Sequence, residues 1–283
     1  MGGRGSFGET SFLCREKSRR LYCMDLGIEG KRVLVCGGSK GIGYSAACRF
    51  AREGAVVTLA ARSAQSLEEA VENLQAETGA TISYVTGDLS SREGRLAIIE
   101  GCPDVDILVT HAGISQRFIK FRELGYDDWI WWLNAHFFSA IELMHAYVPG
   151  MVARKFGRIV NVSVNFIKYP QMNAGHSHAA RLALAGAIAS LAREVAPHNV
   201  TINSVLPGPF DTAALRTALT ARAAQRNTSY EAIEAEMLKS VPAGRVADPQ
   251  EAGDLIAMLA SSQMGFVTGQ NICNDGGQCP ALF

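Results

Sequence analysis

The chain has 283 residues, 48% hydrophobic and 19% charged, with 27 basic and 27 acidic side chains. That length and apolar share suit one large α/β domain with a sizeable core, and the balanced charge points away from nucleic acid and acidic surface partners. No uninterrupted apolar run is long enough to span a bilayer, which excludes a membrane helix. Residues 1–23 are rich in Gly, Ser and Arg and lack an apolar signal core. Glu9 and Glu16 interrupt any basic leader, and Met24 opens a stretch like an ordinary start. We read 1–23 as a flexible extension and 24–283 as the domain. The seven cysteines (Cys14, Cys23, Cys36, Cys48, Cys102, Cys273 and Cys279) include no C-x-x-C and read as reduced thiols of a cytoplasmic protein.

Strand and helix patterns alternate along the chain. Strands are predicted at Arg32–Cys36, Ala55–Ala60, Ile82–Thr86, Asp106–Thr110, Arg158–Val164, Thr201–Val205 and Val267–Cys273. Helical patterns occupy a segment opening at Ile42, Glu68–Gln75, Asp127–Arg154, Ala179–Val195 and Pro249–Ala260, with a polar helical excursion over Asp211–Ser240. Strands separated by helices predict a doubly wound parallel sheet of Rossmann type, covered on both faces, with ligands at the carboxyl ends of the strands.

The first strand runs into Gly37-Gly38-Ser39-Lys40-Gly41-Ile42-Gly43, which opens a helix. Glycines there let backbone approach a diphosphate, and the new helix aims its free N–H groups and positive dipole end at the anion. The second strand ends in Ala60-Ala61-Arg62-Ser63. It lacks the acid that accepts from the ribose hydroxyls of NAD, and Arg62 with Lys40 suits a 2′-phosphate, so NADP(H) is the expected cofactor. Asp88, after the third strand, is placed to accept from the adenine amino group.

At this point the chain resembles the short-chain dehydrogenase/reductase family, near its β-ketoacyl-carrier-protein-reductase-like branch. The resemblance covers about residues 25–283. It rests on Gly37-x-x-x-Gly41-Ile42-Gly43, Asp88-Leu89, Ala112-Gly113, Gly157-Arg158-Ile159-Val160-Asn161, Pro207-Gly208-Pro209-Phe210-Asp211-Thr212, and Gly269-Gln270 through Asp275-Gly276-Gly277. It implies a single domain with a seven-stranded sheet, a nicotinamide cofactor, a small-molecule substrate and a homo-oligomer, dimer or tetramer. It adds Ser39, Ile42, Leu89, Ala112, Gly113 and Phe210 to the cofactor contacts, and it places Pro207, Gly208 and Thr212 at the nicotinamide end. A substrate lid is implied at about 209–240.

The family's Asn-Ser-Tyr-Lys tetrad is replaced throughout. The four positions fall on His136, Val164, Ser177 and Arg181, with Ser163 expected to point to the other face. Lys168-Tyr169-Pro170 and Ser177-x-x-x-Arg181 resemble a divergent reductase-like subgroup, from which Val164 still departs. An aliphatic hydroxyl is a far weaker acid than a phenol, so Ser177 can donate a hydrogen bond but not act as a phenolate. Arg181 can hold the ribose but cannot relay protons. The proton donor is then sought among His136, His111, His176, His178, Lys168 and Tyr169. His136, on the helix beside the nicotinamide, comes first because imidazole titrates near neutral pH; the structural alternative is a histidine bonded to a strand-five carbonyl. Lys168 is read as an acid, an anchor for an anionic substrate, or a surface lysine. Two histidines at i and i+2 diverge on a helix, so no metal is expected. Phe166, Tyr169, Trp131, Trp132 and Phe210 are candidates for an aromatic pocket wall. Arg216, Arg222 and Arg226 would favour an acidic substrate unless they form a solvated face.

Three readings of function remain at this stage. One is NADPH-dependent reduction of a carbonyl. A second is reduction of a conjugated carbon–carbon double bond. The third is an NADPH-binding protein without redox catalysis.

Overall fold

The computed structural model describes residues 25–114 and 117–282, so the expected extension at 1–23 lies outside the described residues. Seven strands form one all-parallel sheet in the order β3-β2-β1-β4-β5-β6-β7. They are β1 Arg32–Cys36, β2 Val56–Ala61, β3 Ile82–Thr86, β4 Ile107–Thr110, β5 Gly157–Val162, β6 Val200–Pro207 and β7 Asn271–Asn274. The order reverses between β1 and β4, and in such sheets the crevice beyond that switch point receives the ligand.

Alternation along β1 shows how the sheet builds two cores. Val33 and Val35 face a layer made by α1 (Gly41–Arg52), α2 (Ala64–Thr78) and α9 (Pro249–Leu259). Leu34 and Cys36 face a layer made by α3 (Arg92–Gly101), α5 (Ser139–Arg154) and α6 (Gly175–Val195). Period-two side chains thus feed both layers, and strands buried on both faces read as continuous apolar runs. The remaining helices are α4 (Tyr126–Leu133), α7 (Ala213–Gln225) and α8 (Tyr230–Leu238).

Four differences from the sequence reading bear on the site. Helix α3 was not anticipated. Its Arg95 is buried, pairs with Glu142 of α5 at 2.7 Å, and donates to the Leu89 carbonyl at 2.8 Å. A buried arginine breaks the apolar periodicity that marks a helix, while pinning the loop after β3. The single helix expected over 127–154 is instead α4, a π-helical turn at Asn134–Phe138, and α5. Side chains reach back at this turn: the Asn134 amide donates to the Ile130 carbonyl (3.0 Å) and the Ser139 hydroxyl to the Ala135 carbonyl (2.8 Å). Such single π turns mark functional positions, and His136 lies in this one. Helix α6 begins at Gly175 rather than 179, which puts His176, Ser177 and His178 in its first turn. Finally, the excursion over 211–240 is a pair of helices, α7 and α8, joined by their own small core of Leu219, Ala223 and Ile233.

Among the described residues, no helix is long and apolar enough to cross a membrane. The five described cysteines are free thiols.

Candidate cofactor and active site

A cleft of about 740 Å³ opens at the carboxyl ends of β1, β2, β3 and β4. Its floor is the turn from β1 into α1. Gly37 has φ +67°, and a Cβ there would meet the His111 carbonyl oxygen at 2.8 Å. Lys40, the N-cap of α1, makes no side-chain cap hydrogen bond, and the helix carries no acid in its first turn. Several other helices do cap themselves: Ser63 accepts from the Ser66 N–H, Ser91 from Gly94 and Thr212 from Leu215. The α1 N–H groups therefore remain available, and an open helix N-terminus beside a glycine turn is an anion site.

The cations expected for a 2′-phosphate are both at this cleft. Lys40 and Arg62 line it, and neither makes an ion pair among the described residues. Ser63 and Ser66, not anticipated, join them. Asp88 also lines the cleft; one carboxylate oxygen accepts from the Ser90 N–H (2.9 Å) and hydroxyl (2.8 Å), which fixes the side chain. Gly37, Ser39, Gly41, Ile42, Leu89, Ala112, Gly113 and Thr212 are likewise in the lining. Pro207, Gly208 and Phe210 are not. Pro207 ends β6, Gly208 packs so closely on Asp275 that a Cβ would lie 2.7 Å from it, and Phe210 is buried in the core. The glycine floor, the open helix end and the two unpaired cations together fit a dinucleotide carrying a 2′-phosphate.

A second, much smaller chamber of about 10 Å³ adjoins the cleft, the two sharing Leu89, His111 and Ala112. His136, Ser163 and Arg181 meet there. Ser163 was expected to face away, but β5 ends at Val162 and the chain turns into a short 3₁₀ segment at Asn165–Ile167, which brings Ser163 to the chamber; Val164 is not in its lining. Beneath it the Thr110 hydroxyl donates to Asn161 Oδ1 (3.0 Å), and the Asn161 amide donates to Ser204 (3.2 Å).

Charge decides what this chamber can do. Burial lowers the Arg181 pKa to about 10, still well above neutrality, so the guanidinium stays charged. Burial, with that charge nearby, lowers His111 to about 4 and His136 to about 2. The expectation that His136 titrates near neutral pH is therefore overturned. It is 4% exposed and stacked on Trp132 with ring centroids 5.2 Å apart. Its bond to a strand-five carbonyl does not form either: Nε2 has no hydrogen-bond partner among the described residues. Burial also lowers His176 and His178, and pushes Tyr169 up to about 12.

Ser177 is fully buried and lines neither cavity; Arg181 Nε–H donates to its hydroxyl at 3.3 Å. Lys168 also lines neither. It lies near Cys273, in the neighbourhood of Asp275 and Cys279, the grouping with metal-ligand spacing among the described residues. The lid arginines are engaged: Arg216 with Asp211 at 2.6 Å, and Arg222 and Arg226 with Glu236 at 3.5 and 2.7 Å. They form the solvated face rather than a free acid-binding set. Of the expected aromatic wall, Trp132 is buried against His136 and Trp131 is exposed.

A doubly wound parallel sheet with an open, glycine-floored helix end at its switch point defines a dinucleotide-binding domain. A family model described as enoyl-(acyl carrier protein) reductase matches residues 37–278. The chain belongs to the short-chain dehydrogenase/reductase family. It is similar to 3-oxoacyl-(acyl-carrier-protein) reductase of Vibrio harveyi, 31% identical over 255 residues, 89% of this chain and 98% of that protein. It is 32% identical over 252 residues to acetoacetyl-CoA reductase of Shinella zoogloeoides, covering 87% and 97%. Its fold superposes on L-sorbose reductase of Gluconobacter frateurii, solved with NADPH and L-sorbose, with a TM-score of 0.87, 28% identity and coverage of 92% and 100%.

Proposed function

We propose that this chain is an NADP(H)-dependent oxidoreductase that transfers hydride to or from a carbonyl or alcohol substrate through an atypical active site. The observation that carries this reading is the cleft itself: Lys40 and Arg62, both without ion-pair partners among the described residues, beside the uncapped start of α1. The nicotinamide group supplies the hydride when bound. Arg181 holds the ribose hydroxyls and is steadied by Ser177. His136, kept neutral by burial, orients a polar atom by hydrogen bonding instead of donating a proton.

Nicotinamide fluorescence titration tests the reading directly. NADPH should bind much more tightly than NADH. Arg62→Ala should weaken NADPH about ten- to a hundredfold and leave NADH nearly unchanged, since one charge-assisted phosphate contact contributes about 1.5–3 kcal/mol. Equal affinity for the two coenzymes in the unmodified protein would sink the assignment.

One observation favours a second reading. None of His111, His136 and Tyr169 has a pKa near neutrality. Reduction of a conjugated carbon–carbon bond develops charge on an enolate oxygen, which a fixed cation and neutral donors stabilise without immediate proton transfer. A product that keeps its carbonyl would select this reading; an alcohol product would select the first.

A further inference from the structure

We propose that Cys273 and Cys279 are an oxidation site, forming a reversible disulfide with each other when the protein meets a hydroperoxide. The proposal does not rest on the redox reading of the coenzyme cleft. The two sulfurs and a carboxylate oxygen of Asp275 all lie within 4.8 Å of one another. A disulfide is about 2 Å long, so at most about 3 Å remains to be closed by the two side chains. Cys273 is in β7, Cys279 follows the turn Asp275-Gly276-Gly277, and both are free, half-buried thiols.

That turn is already held in the shape that makes the thiols face each other. Asp275 Oδ1 accepts from the Gly277 N–H at 3.1 Å. Its Oδ2 accepts from the Cys279 N–H at 2.8 Å and from the buried Asn165 amide at 3.2 Å. Gly276 and Gly277 take φ +62° and +84°, a left-handed conformation that glycine adopts at no steric cost. The same contacts argue against a metal ion among the three groups. The Asp275 carboxylate is 7% exposed and already accepts three N–H donors, and the Lys168 ammonium lies near Cys273. A divalent cation would have to displace those donors and sit beside a like charge, with three protein ligands where a closed structural zinc site uses four.

The thiolate is the form that a hydroperoxide oxidises. Burial, with Cys279 and Asp275 beside it, pushes Cys273 up to about 11, so it keeps its proton. Cys279 therefore reacts first. Its sulfur takes one peroxide oxygen and becomes a sulfenic acid, and the rest of the hydroperoxide leaves as an alcohol or water. The Cys273 sulfur then attacks the Cys279 sulfur, and the Cys273 proton leaves with the displaced hydroxide as water. The two thiols give up two hydrogens and two electrons, which the O–O bond accepts. The Lys168 charge steadies the Cys273 sulfur as its proton departs.

The test uses the full-length protein and hydrogen peroxide as the probe. Residues 246–283 contain no Lys or Arg, so trypsin releases both cysteines in one peptide. After peroxide the protein is labelled with N-ethylmaleimide in urea, digested and weighed. The untreated peptide should carry a label on each cysteine. The oxidised peptide should carry neither and be lighter than the unlabelled reduced peptide by two hydrogens, and dithiothreitol should restore both labels. Cys273→Ser should stop at a sulfenic acid on Cys279, trapped by dimedone. Cys279→Ser should leave Cys273 open to labelling and slow its oxidation by about tenfold or more. The map of the unmodified protein decides alone if a variant fails to fold. Both labels persisting on 246–283 while other cysteines oxidise would overturn the proposal, as would added oxygen on this peptide without a bridge. Protection of both thiols from peroxide by zinc chloride would overturn it too, by making the cluster a metal site.

Discussion

Gly43→Ala should abolish tight NADPH binding, with affinity falling by about two orders of magnitude, while the sheet still forms. Gly43 is in the first turn of α1, and a Cβ built there would lie 2.2 Å from the Gly37 carbonyl oxygen and 2.8 Å from its carbon. Those are backbone atoms of the turn itself, so no side chain can swing aside. The helix start must move away from the β1 turn, and a displacement of even 1 Å misplaces every N–H that the diphosphate would meet. Gly186→Ala serves as the control. It is an exposed glycine inside α6 with nothing within 4 Å of the added methyl, so it should raise stability by about 0.5–1 kcal/mol through helix propensity and leave coenzyme affinity unchanged. Fluorescence titration reads the affinities, and thermal unfolding reads the stability. Wild-type NADPH affinity in Gly43→Ala would mean that the glycine turn is not the coenzyme floor.

The parts of the molecule legible in the sequence are those set by local rules. Val33–Cys36 and Ile107–Val109 are continuous apolar runs because their strands are covered on both faces. The glycine turn is legible because its backbone demands are local. Arg62 is legible as a phosphate contact because the end of β2 has a fixed place beside the end of β1.

The active centre was less legible because its character comes from groups distant in sequence. The protonation state of His136 depends on burial against Trp132 and on Arg181, which α6 brings alongside. The pairing of Arg226 with Glu236 depends on how α7 folds against α8. Counting placed Ser163 by strand alternation, a rule that lapses where β5 stops one residue earlier. Helix α3 was hidden by a buried arginine whose partner, Glu142, is 47 residues away. The π turn was hidden by the strong apolar run on either side of it. For His136, Arg226 and Arg95 the missing information was a tertiary neighbour, while Ser163 and the π turn depended on where a strand or helix departs from its regular geometry.

The same buried histidines predict a specific acid sensitivity. Unfolded imidazole has a pKa near 6.5, whereas folded His136 is held to about 2 and His111 to about 4. Above pH 6.5 both states carry neutral rings, and the difference contributes nothing. Below it the unfolded chain binds protons that the native chain refuses, so stability rises with pH and falls as the solution is acidified. The His111 contribution is complete near pH 4, while that of His136 continues to accumulate toward pH 2. At pH 5 the unfolded state gains about 2 kcal/mol from His136 alone, taking 1.36 kcal/mol per pH unit over the 1.5 units below 6.5. That is a large part of an ordinary folding stability of about 5–15 kcal/mol. Depressed carboxylates such as Glu251, lowered to about 2, act mainly below pH 4.5 and leave this window nearly clear. The stability lost by the coenzyme-free protein between pH 7 and pH 5 should therefore shrink by about 2 kcal/mol in His136→Asn, whatever the variant's absolute stability at pH 7. Urea unfolding of both proteins at the two pH values measures the difference. An identical loss in both would show that His136 takes up a proton in the native state as readily as in the unfolded chain, and the neutral, inward-facing imidazole on which the chamber chemistry depends would be ruled out.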